Sequence, residues 1–359
     1  MAVDFSFLLP LLATSFGIYL ILALSFNLEY GYAGQPNLGK VFFYSVGAYA
    51  AGAITTRVLW ALAGAPANVA FMQAPGAAIR QAFARSNPGA ILGLFVVSLL
   101  AAAVIGAAVG YLAAYPALRL RGDFLAIVLI AVGEAGRVFG RNYEPLAGGV
   151  FGLPGVPNPF AWLPARADYA AYAILVLAIA AGMYLFAVRL SNSPFGRLLK
   201  SVRDDELAAS VYGKDAPRAK GHILAIGSGM AAVAGALYVF YVQQVYADDF
   251  IPLISFAAVT MVILGGVANH KGTLVGAAFM TLVDFVTRPV FLAILGINWQ
   301  PPFDLNYVRY LVTGLIIVLV LLFRPKGLLA EGPVDTVAMR VAQSWKTPAT
   351  VDEPARDDS

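Results

Sequence analysis

The sequence predicts an all-α, polytopic bundle of membrane-spanning helices, and three observations carry that expectation. Of 359 residues, 60% are hydrophobic and only 12% charged, with a mean hydropathy of +0.76, whereas soluble domains carry roughly 25% charged residues. The apolar residues run in stretches near the ~20 that a helix needs to cross ~30 Å of hydrocarbon. Lysine and arginine collect in alternate connections between those stretches, the asymmetry that marks cytoplasmic loops. An ordinary soluble enzyme is thereby excluded. So is chemistry that needs a thiolate, because the chain has no cysteine. The formal net charge of +4 is scattered along the chain and does not predict a nucleic-acid partner.

Nine apolar segments make up the predicted bundle, at about residues 5–28, 41–62, 89–114, 123–140, 169–188, 221–242, 250–268, 272–297 and 307–323. The first has no basic flank and runs too long for a signal peptide, so it is read as staying in the bilayer. The basic connections hold Arg119 and Arg121; then Arg189, Arg197, Lys200, Arg203, Lys214, Arg218 and Lys220; then Lys271; then Arg324 and Lys326. These are predicted to be cytoplasmic, which places the C-terminus inside a cell membrane crossed many times. Connections 243–249 and 298–306 have no lysine or arginine and are predicted to face outward. Parity puts the N-terminus outside unless stretch 31–40 re-enters the membrane. The outward connections Ala63 to Pro88 and Asn142 to Asp168 are expected to be packed hairpins or short interfacial helices. In the second, Gly148, Gly149, Gly152, Pro154, Gly155 and Pro157 are expected to impose tight turns. Residues 1–330 read as one transmembrane domain and 331–359 as a polar, disordered cytoplasmic tail.

A helix break is predicted after the first segment, because Gly31, Gly34, Pro36 and Gly39 cannot sustain an ordinary helix. The run Gly34 to Lys40 nearly spells a phosphate-binding loop. It ends in Val41, however, where a magnesium-coordinating hydroxyl is required, and it joins two membrane segments. Irregular backbone at membrane depth needs protein or water to satisfy it. Asn27, Gly31, Gly34, Gln35, Asn37 and Gly39 are therefore candidates either to line a translocation path or to serve the break structurally.

The sequence offers two intramembrane charge pairs, Glu134 with Arg137 and Asp284 with Arg288, spaced to share a helix face. Each is expected to be neutralised within the bundle, since a charge facing lipid costs at least ~2.5 kcal/mol. The two histidines, His222 and His270, form no metal-binding motif, so no metal and no cofactor is expected. Ser228 between Gly227 and Gly229 reads as a site of close helix packing.

The connection at about 191–220 is the most informative one. Ser193 with Pro194 suits the start of one short helix, and Asp204, Asp205 and Glu206 suit the positive end of a second. Gly213 suits its stop, and Asp215 with Pro217 a new start. Leu198, Leu199, Val202 and Val211 on so charged a loop imply a docking surface.

Glu206, Ala208 and Ala209 followed by Gly213 resemble the E-A-A-x-x-x-G loop of ABC-importer permeases, whose short coupling helix fits a cleft on the ATPase subunit. Leu207 stands where the first alanine is expected. The resemblance extends along the chain. Leu24 to Gly39, reading LSFNLEYGYAGQPNLG, with Gly47 and Tyr49 after it, is similar to the N-terminal signature of the branched-chain amino-acid permeases, specifically the longer of their two paired subunits. Leu118 to Ile127 with Glu134, the Gly148 to Pro157 stretch, Ala234 to Tyr238, Val262 to Gly266 and Phe323 to Leu328 are similar to later blocks of that family. The family shows a histidine where Lys40 stands.

The resemblance implies a type II importer bundle of about nine or ten crossings, without an enzymatic step of its own. It implies a second homologous permease, two cytoplasmic ATP-binding subunits and an extracytoplasmic solute-binding protein as partners. Arg203, Asp204, Asp205, Glu206, Ala208, Ala209 and Gly213 would form the ATPase-coupling loop. Branched-chain or other hydrophobic amino acids are the expected cargo, with urea or short amides as the alternative within the family. An ion-coupled secondary transporter using Glu134 and Asp284 is the rival from another class.

Overall fold

The computed structural model describes residues 5–64, 69–117, 122–164, 166–287, 305–324 and 327–332. Each of the nine apolar segments carries a helix there. They are α1 (Phe5–Phe26), α2 (Lys40–Leu62), α4 (Pro88–Ala117), α5 (Gly122–Asn142), α7 (Ala167–Asn192), α10 (Ala216–Val242), α11 (Leu253–Gly265), α12 (His270–Val286) and α13 (Leu305–Phe323). Short helices fill the connections: α3 (Ala74–Ser86), α6 (Glu144–Ala147), α8 (Pro194–Asp204) and α9 (Glu206–Val211). Without water to satisfy the backbone, an apolar chain at membrane depth must bond within its own segment, and the helix does so. Among the described residues, five spans are long and apolar enough to cross unaided: Leu8–Tyr32, Pro88–Tyr115, Ala167–Asn192, Ala216–Val242 and Ala247–Gly265.

Helix α10 is the axis of the bundle, packed against α1, α2 and α4. Small residues permit the approach. A Cβ added at Gly47 would fall on the backbone oxygen of Ala232, and one at Gly235 on that of Tyr44. Gly106 and Gly110 of α4 receive Ala232 and Ser228 in the same way, as the Gly-Ser-Gly run predicts. Outside this centre, α7 packs on α1, the α11–α12 pair leans on α1, and α5 covers part of α2.

The 27 residues of α10 separate two ends of the bundle by about 40 Å, at 1.5 Å per residue. At its C-terminal end, Gln244–Val245 pairs antiparallel with Leu153–Pro154. Gly148, Gly149, Gly152 and Gly155 all have positive φ, so the predicted tight turns form there. Arg80 of α3 clamps this loop. Its buried guanidinium donates to the carbonyls of Phe71 at 2.7 Å, Pro154 at 2.5 Å and Gly155 at 3.3 Å, and lies 4.6 Å from the Phe71 ring centre. Burial pushes its pKa down to about 10, so it stays charged at neutral pH. The other end of α10 carries α8 and α9.

Candidate functional site

Two features meet at the α8–α9 end. The first is the capped pair of short helices. The Ser193 hydroxyl accepts from Gly196 N–H at 3.3 Å, with Pro194 opening α8. The Asp205 carboxylate accepts from Ala208 N–H at 2.9 Å to start α9, and Asp215 from Arg218 N–H at 3.0 Å to start α10. Helix α9 stops in a Schellman motif. Lys214 N–H donates to the Ala209 carbonyl at 3.1 Å and Gly213 N–H to that of Ser210 at 2.9 Å, with Gly213 at φ +74°.

The exposed face of this loop differs from the one the sequence predicts. Leu199 and Val202 are buried and Leu198 half-buried, because α8 is amphipathic and lays its apolar side on the bundle. Ala209 also faces inward, against Val202 and Ala216. Of the predicted apolar set, Val211 alone is exposed. Leu207 and Tyr212 join it, at 77% and 83% exposure. The Glu206 carboxylate turns back to the Lys220 ammonium at 2.5 Å, and Asp204 pairs with Arg203 at 3.0 Å.

The second feature is the helix break. After α1 the chain widens into a π-helical turn, Asn27–Tyr32, then runs irregularly to Lys40. Gly34, at φ +69°, turns the chain. Buried Glu29 sits between Lys40 Nζ, 2.6 Å from one carboxylate oxygen, and Asn37 Nδ2, 2.8 Å from the other. The Asn37 side-chain oxygen accepts from Gly39 N–H at 3.1 Å, and that of Asn27 from Ala268 N–H at 2.9 Å. Neither side chain of the Glu29–Lys40 pair is exposed at all. Gly227 makes the room, since a Cβ there would strike the Glu29 carboxylate. Among the described residues, Gln35 Oε1 and Asn27 Nδ2 are buried without a hydrogen-bond partner.

Glu29 and Lys40 thus add a third charged pair to the two that the sequence offers. The available signal was two opposite charges, in apolar surroundings, on either side of a break.

The family model described as the permease component of branched-chain amino acid transport systems matches residues 9–321. The chain belongs to that permease family. It is 31% identical over 334 residues to the probable branched-chain amino acid transport permease protein LivM of Methanocaldococcus jannaschii, covering 93% of this chain and 96% of that one. It is 27% identical to the high-affinity LivM permease of Salmonella typhimurium, over 89% of this chain and 69% of the other. To the LivH permease of Escherichia coli strain K12 it is 23% identical, over 89% and 93%. No solved structure matches.

In this permease Glu134 and Arg137 pair as expected, both Glu134 oxygens accepting from Arg137 Nε at 3.1 Å. The pair is not isolated, because Arg137 also reaches Asp248 and Arg141 stands 3.6 Å from that same carboxylate. Asp284 is buried, and Arg288 lies outside the described residues. The predicted disordered tail also lies outside them from residue 333, but its first residue, Glu331, is engaged: it accepts from Lys200 at 2.9 Å and from Arg203 at 3.1 Å.

Proposed function

We propose that this permease is one of two homologous membrane subunits of an ATP-driven importer for branched-chain or similar hydrophobic amino acids. Two ATP-binding subunits dock on the α8–α9 end, and a solute-binding protein docks on the opposite face. The reading rests on α9, a six-residue helix fixed at both ends that presents Leu207, Val211 and Tyr212 outward. A charged loop gains nothing by holding three large apolar side chains in water, so a protein partner that buries them explains the arrangement. The lysine and arginine distribution supports a cytoplasmic location for this end and for the C-terminus. Transport then proceeds by alternating access, with closure of the ATP-binding subunits moving α9 and reopening the bundle on the other side. ATP hydrolysis belongs to those partners. The cargo follows the family; the unpartnered buried polar atoms of Asn27 and Gln35 at the break support these two residues as candidates to meet it when the bundle opens.

The test is capture of the ATP-binding subunit by purified variants, alongside substrate-stimulated hydrolysis. Leu207→Asp and Tyr212→Asp each place a carboxylate at the docking face and are expected to abolish capture. Gly213→Val places a β-branched residue at positive φ and weakens the helix stop by about 1–2 kcal/mol. Undiminished capture and stimulation in all three would remove α9 as the coupling element and reopen the ion-driven transporter reading.

A further inference from the structure

We infer that Arg203 is the positioning residue through which movement of α8–α9 is transmitted to the helix break, with Glu331 holding it in place. The inference rests on the importer reading and adds the connection that the reading lacks.

The argument starts from an orphan carbonyl. In an unbroken helix the carbonyl of Gly31 would accept from the N–H of Gln35. Here the Gln35 N–H donates instead to the Glu29 carbonyl at 2.9 Å, and Pro36 has no N–H to offer. The break therefore leaves a buried carbonyl without a backbone donor. Arg203 supplies one: its Nη1 donates to the Gly31 carbonyl at 2.6 Å.

Arg203 belongs to the last turn of α8, two residues before Asp205, the cap of α9. Its aliphatic stem crosses Gly34, where an added Cβ would meet Arg203 Cγ at 3.1 Å. One turn earlier on α8, the Lys200 ammonium lies 5.2 Å from the centre of the Tyr32 ring. Two residues of α8 thus grip the same π-helical turn.

The grip is fixed from behind by the chain after α13. Leu328 and Leu329 N–H groups donate to the Leu264 and Gly265 carbonyls at 2.8 and 2.9 Å, and Asn269 Nδ2 donates to the Ala330 carbonyl at 3.0 Å. That strap delivers Glu331 to both Lys200 and Arg203. Burial works against the Arg203 charge, but the Asp204 and Glu331 carboxylates outweigh it and raise its pKa above the ordinary value.

The mechanical consequence is specific. If α8 moves away alone, a buried carbonyl loses its donor, so the π-helical turn follows α8. That turn carries Glu29, whose pairing with Lys40 joins the end of α1 to the start of α2. Motion at the docking face is thereby led to the hinge between two central helices.

The test uses the full importer in vesicles, with both permeases, both ATP-binding subunits and the binding protein, and radiolabelled leucine as the probe. Arg203→Gln is expected to capture the ATP-binding subunit, because Leu207, Val211 and Tyr212 are untouched, and to melt a few degrees below wild type, because the Gly31 carbonyl loses its charged donor. Its leucine imported per ATP hydrolysed is expected to fall about tenfold or more, the factor carried by a charge-assisted hydrogen bond. Arg203→Lys keeps the charge and one donor, and is expected to recover to within about threefold of wild type. Leucine per ATP equal to wild type in Arg203→Gln would overturn the inference while leaving the importer reading intact. Loss of capture in that variant would also overturn it, by assigning Arg203 to docking. A wild-type chain that captures no ATP-binding subunit would overturn both.

Discussion

At the scale of single residues, the Glu29–Lys40 pair and the Glu134–Arg137 pair have the same chemistry and opposite settings. The first has no exposure and satisfies both carboxylate oxygens. In the second, Glu134 is 41% exposed and Arg137 divides itself between Glu134 and Asp248. Removing one member of a fully buried pair strands a charge and costs about 3–5 kcal/mol, whereas removing both is often nearly neutral. Lys40→Met or Glu29→Gln is therefore expected to lower the melting midpoint in detergent sharply. The double replacement should melt within a few degrees of wild type, and additive losses would show that the two charges are not coupled. For Glu134→Gln the expected loss is smaller than at the buried pair, because Arg137 keeps Asp248 as a partner and is not left as a lone charge. The loss of Lys40 is felt at the break itself, where the family resemblance expects a histidine.

Among the helices and turns, what the sequence predicts and what it misses divide by distance along the chain. The starts at Ser193, Asp205 and Asp215 and the stop at Gly213 were legible because each cap is a contact across three to five residues. The helices at the nine apolar segments were legible for the same reason, each being its own hydrogen-bonded unit. Arg203 and Gly31 are 172 positions apart, and no local pattern links them. Nor could spacing alone tell that Leu199, Val202 and Ala209 turn inward while Leu207 and Tyr212 turn out, since that depends on where α8 meets the bundle. Gly182 was equally opaque: it resembles the packing glycines in sequence, yet an added Cβ there meets nothing. Gly235→Ala is accordingly expected to lose about 1–3 kcal/mol by overpacking against Tyr44, and Gly182→Ala to be neutral or slightly stabilising. Matched melting curves of the two variants check the contrast, and equal behaviour would show that α2 and α10 leave room for a methyl group at Gly235.

For the whole molecule, the distribution of basic residues makes a claim about sidedness that the cysteine-free sequence makes easy to examine. A single cysteine at Phe151, which is 95% exposed at the β-paired end, is expected to react with a membrane-impermeant maleimide in intact cells. Single cysteines at Val211 and at Ser344 are expected to react only after the membrane is opened. Labelling of all three from the same side would contradict the alternation of loops and, with it, a cytoplasmic C-terminus.

The central place of α10 also sets a timetable for synthesis. It begins at residue 216, so α1, α2 and α4, which end by residue 117, leave the ribosome long before the helix they enclose exists. Until then Gly47, Gly106 and Gly110 face a partner not yet made, and the Glu29 carboxylate lacks the Gly227 wall that closes over it. The first half of the chain can insert into the bilayer one helix at a time, but it cannot mature. Chains halted near residue 215 should be cleared by membrane proteases, while chains extended past residue 250 should persist, so the commitment to survive is made late in translation and by a single helix.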